Sequence, residues 1–152
     1  METIEKSVEV LNDLIEINND RDAGFAHASN DLNVNDMDLR LLFRDLREES
    51  RYNVQELGMA INDFGGEPEM GVSPSGAIHR AWLDVKAAFS GHDRKSILAE
   101  CETGEDAIKK AYQDALDPDN GLLPEFYEMV SRQYQGIIAS HDRIKALRDN
   151  EA

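Results

Sequence analysis

The sequence predicts an all-α fold, a four-helix bundle with one long crossover between its second and third helices. Three observations carry this expectation. Apolar residues recur at helical spacing in four long segments. No stretch sustains the alternation of a strand. The three connections run short, long, short, which sets the order of the helices in space.

The first segment covers about residues 2–28, where Ile4, Val8, Leu11, Ile15 and Phe25 share one face and Leu14 lies beside them. The second, about 36–62, carries Leu39, Leu42, Phe43, Leu46, Leu57 and Ile61, with Asn35 or Asp36 as its N-cap. The third, about 93–116, carries Ile97, Cys101, Ile108, Tyr112 and Ala115. The fourth, about 123–149, carries Phe126, Val130, Ile137, Ile144 and Leu147. Pro124 suits its first turn, after the turn signal Asp117-Pro118-Asp119-Asn120-Gly121.

A short polar stretch at residues 29–35 joins the first two helices, and a turn joins the last two, so each pair is expected to be antiparallel. About thirty residues separate the second helix from the third. They open with Gly65-Gly66-Glu67-Pro68, continue to Ser73-Pro74-Ser75-Gly76, and then fit a short helix over residues 77–89 with Ile78, Trp82, Val85 and Phe89 on one side. A connection of that length crosses the bundle from end to end and leaves the second and third helices parallel. One long crossover is the ferritin-like arrangement. The whole chain, 1–152, reads as a single domain of ordinary size.

Composition narrows the function classes. Hydrophobic residues make up 41% and charged residues 31%, a globular balance. Sixteen basic against 31 acidic residues give a net charge of −15, a surface that repels phosphate backbones and anionic lipid. Neither nucleic acid nor membrane is therefore an expected partner, and Arg143, Lys145 and Arg148 are read as cations complementing a helix C-terminus. No apolar run nears the roughly 20 residues of a membrane span, and the N-terminus lacks the pattern of a signal peptide. A lone cysteine, Cys101, forms no internal disulfide, so the cytoplasm is the expected compartment.

Polar residues at mid-height on the apolar faces carry what chemistry there is. Carboxylate bundles with two metals take a Glu from each of two helices and Glu-x-x-His from each of the other two. Here the first helix offers Asn18 and Asp22, the second Glu49, Ser50 and Asn53, the third Glu105, and the fourth Gln133. Counting from the turn between the last two helices places Glu105 and Gln133 level. The full ligand set is absent. Tyr52 stands where Glu49 would want a histidine three residues on, Gln133-Tyr134-Gln135-Gly136 offers neither ligand, and His141 lies two turns further. Glu49, Glu105 and His141 are the candidate metal ligands, for iron or manganese if any metal. The competing expectation is a hydrogen-bonded polar layer that fixes helix register, because buried carboxylates cost free energy unless paired. No Ser-His-Asp or Cys-His order, phosphate loop or paired zinc spacing occurs, so no catalytic residue is assigned.

Four stretches stand out: Leu11-Asn12-Asp13-Leu14-Ile15-Glu16, Gly76-Ala77-Ile78-His79-Arg80-Ala81-Trp82-Leu83-Asp84, Ile97-Leu98-Ala99-Glu100-Cys101-Glu102-Thr103-Gly104-Glu105-Asp106, and Gln133-Tyr134-Gln135-Gly136 through His141-Asp142-Arg143. With them the chain resembles a bacterial family of ferritin-like four-helix-bundle proteins of unassigned function. The resemblance implies a ferritin-like bundle in a bacterial cytoplasm and transfers no reaction. More distant ferritin-like relatives include stress-associated and iron-handling bundles, and this chain departs from the latter at the Glu-x-x-His positions. The leading expectation is a non-enzymatic stress-associated or interaction protein, assembled as a homo-oligomer. The alternative is a metal-binding or redox bundle using the mid-height carboxylates. A small-molecule site where Gly104 and Gly136 thin the packing is a third.

Overall fold

A computed structural model describes residues 2–68 and 93–151. Four long helices account for most of them: α1 (Glu2–Asn30), α2 (Met37–Asp63), α3 (Arg94–Leu116) and α4 (Pro124–Asp149). A 3-10 turn, Pro118–Asn120, joins the last two. Among the described residues there is no strand. The helix limits fall within two residues of those read from the apolar period. The short helix expected over residues 77–89, with His79, Trp82 and His92 nearby, lies outside the described residues.

The ends of the helices follow from local chemistry. At the start of α3 the Asp93 side chain accepts from the Ser96 amide at 2.8 Å and from its hydroxyl at 3.0 Å, a side-chain N-cap. At the end of α2, Gly65 takes φ +82°. The Gly66 amide donates to Ile61 O and the Gly65 amide to Asn62 O, which satisfies the last carbonyls in a Schellman turn that needs a glycine. Pro124 opens α4, and the Leu123 amide just before it donates to Ser7 Oγ at 2.9 Å, tying that end to α1.

Register is read from side chains that meet across helices. Asn18 and Arg21 of α1 meet Asn53 and Glu49 of α2, so α1 and α2 are antiparallel. The same two residues meet Tyr112 and Glu105 of α3, again antiparallel. Tyr112 and Glu105 in turn meet Gln133 and Ser140 of α4, antiparallel once more. Between the helices lies one core. Leu11, Ile15, Phe25, Phe43, Leu57, Ile61, Ile97, Ile108, Val130, Ile137 and Ile144 are fully enclosed. Each such side chain contributes about 1.5–3 kcal/mol through removal from water. Phe25 and Phe43 pack with ring centroids 5.2 Å apart, and Cys101 is buried as its place on the stripe predicts.

A buried arginine between two carboxylates

Among the described residues, the largest fully buried side chain is not apolar. Arg21 projects from α1 into the middle of the bundle and is 0% exposed. It sits three residues after Asn18 and four before Phe25, so helical geometry carries it inward with them. Its guanidinium faces two acids on two different helices. Nε donates to Glu105 Oε1 at 2.7 Å and Nη2 to Glu105 Oε2 at 3.0 Å, a bidentate fork. Nη1 donates to Glu49 Oε1 at 2.8 Å. The remaining donor capacity goes to Ser50 Oγ at 3.0 Å and Ser140 Oγ at 2.9 Å. Ser140 Oγ also lies 2.8 Å from Glu105 Oε2, to which its hydroxyl can donate. Phe25 closes the site, with the guanidinium carbon 5.4 Å from its ring centre.

Electrostatics keep Arg21 charged. Burial disfavours the charged guanidinium, but the charge and hydrogen bonds of Glu105, with those of Glu49, outweigh it and hold Arg21 above its ordinary value. Arginine is therefore a permanent cation here and cannot act as an acid or base at neutral pH. Glu49 differs from Glu105 in reach. Its side chain is 32% exposed, whereas that of Glu105 is sealed.

A second polar layer lies about one turn along α1 and α2 and two turns along α3 and α4. Asn18 donates to Leu14 O at 2.8 Å and to the Tyr112 hydroxyl at 2.9 Å, and accepts from Asn53 at 3.2 Å. The Tyr112 hydroxyl donates to Gln133 Oε1 at 2.7 Å. Gln133 Nε2 donates to Glu56 Oε1 at 2.8 Å, and Glu56 is forked by Arg132 at the surface. Burial, chiefly, pushes the Tyr112 hydroxyl above its usual range, so it stays protonated and remains a donor.

The candidates read from the sequence divide between places. Glu49 and Glu105 meet at mid-height, through Arg21. His141 does not join them: its Nε2 lies 2.5 Å from Asp106 Oδ1. Gln133 is not level with Glu105 as counted from the turn. It bonds Tyr112, and the α4 residue at Glu105 is Ser140, seven residues later. The paired residues centre on residues 122–123, past the 117–121 turn from which the count was made. Tyr52 is 60% exposed, so the position three after Glu49 points outward, and Asn53 is the residue that points in. Asp22 pairs at the rim with Arg47 and Arg51. Gly136 opens no ligand space, because a Cβ there would lie 3.3 Å from Glu49 Oε2. Arg21 was missed altogether. Its signal was a cation at stripe spacing between Asn18 and Phe25, opposite two acids that required a countercharge.

This sequence matches the profile of a family described as Domain of unknown function (DUF2383) over residues 6–118. The chain belongs to that family. The matched span takes in α1, α2 and α3, and with them Arg21, Glu49 and Glu105, whereas Ser140 and His141 of α4 lie beyond it. No curated protein matches the chain. No described helix is long and apolar enough to cross a membrane.

Proposed function

We propose that this chain is a ferritin-like bundle of the bacterial cytoplasm that works without catalysis, as an interaction or stress-associated protein assembled with copies of itself. The observation that carries the reading is the Arg21 guanidinium bound to both mid-height carboxylates. A carboxylate bundle that handles metal leaves those acids free for a cation from solution. Here a side chain of the protein supplies the cation, and it has neither redox chemistry nor a proton it gives up at neutral pH. Iron or manganese at Glu49 and Glu105 would first have to expel a buried arginine.

The ferritin-like part draws support from direction. Both α2 and α3 run antiparallel to α1, so they point the same way, as a single long crossover requires. Self-association draws support from α2. Met37, Leu41, Tyr52 and Met59 are exposed large apolar residues that fall within one narrow arc of that helix at about 100° per residue. An antiparallel match of α2 with α2 of a second copy sets Met37 against Met59 and Arg44 against Tyr52, twice over about one two-fold axis. Light scattering on a sizing column tests this. The unaltered chain should elute as a dimer or larger, more completely as salt screens the −15 charge, and Tyr52→Glu with Met59→Glu should give the monomer. A monomer at every salt and protein concentration would overturn self-association.

A further inference from the structure

His141 lies one residue past Ser140 on α4, and its ring nitrogens face away from the Arg21 cluster, each toward a carboxylate. Nε2 is 2.5 Å from Asp106 Oδ1, and Nδ1 is 3.1 Å from Asp142 Oδ1. A neutral imidazole has one N–H and one lone pair. A single N–H cannot serve two carboxylates, so one ring nitrogen calls for a positive partner, either a second proton or a metal ion. Donation from Nδ1–H to a carboxylate is the arrangement that orients a metal-ligating histidine and leaves the Nε2 lone pair for the ion.

A third donor is in place. Glu102 precedes Asp106 by four residues, so α3 presents both carboxylates on one face toward His141. One ligand atom from each of Glu102, Asp106 and His141 lies within 4.8 Å of the other two. The ring and Glu102 form a shielded wall, with side chains 9% and 12% exposed, whereas Asp106 is 61% exposed and stands at an open edge.

We propose that Glu102, Asp106 and His141 form a mononuclear site for a divalent transition-metal ion. One imidazole and two carboxylates suit zinc, manganese or ferrous iron, with the remaining positions open to water. Metal–donor bonds of about 2.0–2.2 Å set donor atoms roughly 3–3.6 Å apart. His141 and Asp106 then part by about an ångström, and the wider pairs draw in. The exposed Asp106 can make that adjustment. Arg148 pairs with Glu102. It also bonds Asp149 at 2.9 Å, so a metal that takes Glu102 leaves it a partner. Arg148 is thus a built-in competitor for the site, and this site is separate from the Arg21 cluster.

The test uses the full chain, purified without an affinity tag and stripped with chelator. Co²⁺ is titrated while its visible absorption is followed, and Zn²⁺ is titrated by calorimetry. One ion per chain is expected. His141→Ala and Asp106→Asn should each weaken binding by about tenfold or more. Arg148→Gln should strengthen it. Far-UV circular dichroism confirms folding, and the exposed Asp106 variant keeps the test decisive if His141→Ala fails to fold. No Co²⁺ band at millimolar metal, or equal affinity in the unaltered chain and Asp106→Asn, would overturn the proposal.

Discussion

Arg21 Nε lies 2.7 Å from Glu105 Oε1, and neither side chain reaches solvent. Such a pair does not earn its place by stabilising the fold more than apolar packing could, because desolvation of both charges offsets their attraction. Its effect shows when one partner goes. Glu105→Leu leaves a buried guanidinium with only Glu49 as countercharge and should cost about 3–5 kcal/mol in urea unfolding. Adding Arg21→Met should recover most of that loss. Equal, additive losses from the two substitutions would mean that the pair is not coupled.

Cys101 should be inert in the folded protein. Burial first, then the charges of Glu105 and Glu100, pushes its thiol well above the usual range, and the thiolate is the reactive form. A thiol reagent such as dithionitrobenzoate should react slowly in buffer at pH 8 and at once in denaturant. Rapid, complete reaction of the native protein would contradict the packing of α3.

Asp38 gives a pH signature. The hydrogen bonds from Arg94 hold its carboxyl down to about 2, against an ordinary 3.8. A depressed acid stabilises the fold above its unfolded pKa, and that contribution is lost as pH falls through the folded value. Asp38→Asn should therefore lower the melting temperature at pH 7, and the difference should fade between about pH 4 and pH 2. The side chain is largely exposed, so the effect should stay below about 1 kcal/mol. A difference that persists unchanged at pH 2 would point away from the ion pair.

Most of the architecture was legible in the sequence because helical period and turn residues are local signals. Pro124 and the Asp117–Gly121 run marked the boundary between α3 and α4, and Gly65 marked the end of α2. The polar core was legible only in part. Glu105 stood out as an acid on an apolar stripe, but nothing in the pattern singled out Arg21 beside Asp22. A stripe is wide enough that either of two neighbours can point inward, and packing decides which. The register between α3 and α4 was miscounted because the pairing centres on residues 122–123, past the turn signal at 117–121, and periodicity does not mark that centre. Ser140, a small residue amid apolar ones, gave no signal until Glu105 and Arg21 were seen to need its hydroxyl.

Iron uptake bears most directly on whether Arg21 takes the place of a metal centre. The chain carrying His141→Ala, which removes the outer cluster, is purified without oxygen, analysed for metal, and mixed with Fe(II) in air. It should hold no stoichiometric iron and show no oxygen-dependent absorbance change, because Arg21 occupies Glu49 and Glu105. About two irons per chain, as a carboxylate bundle with a two-metal centre would hold, together with oxidation lost on Glu49→Ala and Glu105→Ala, would show that metal displaces the arginine.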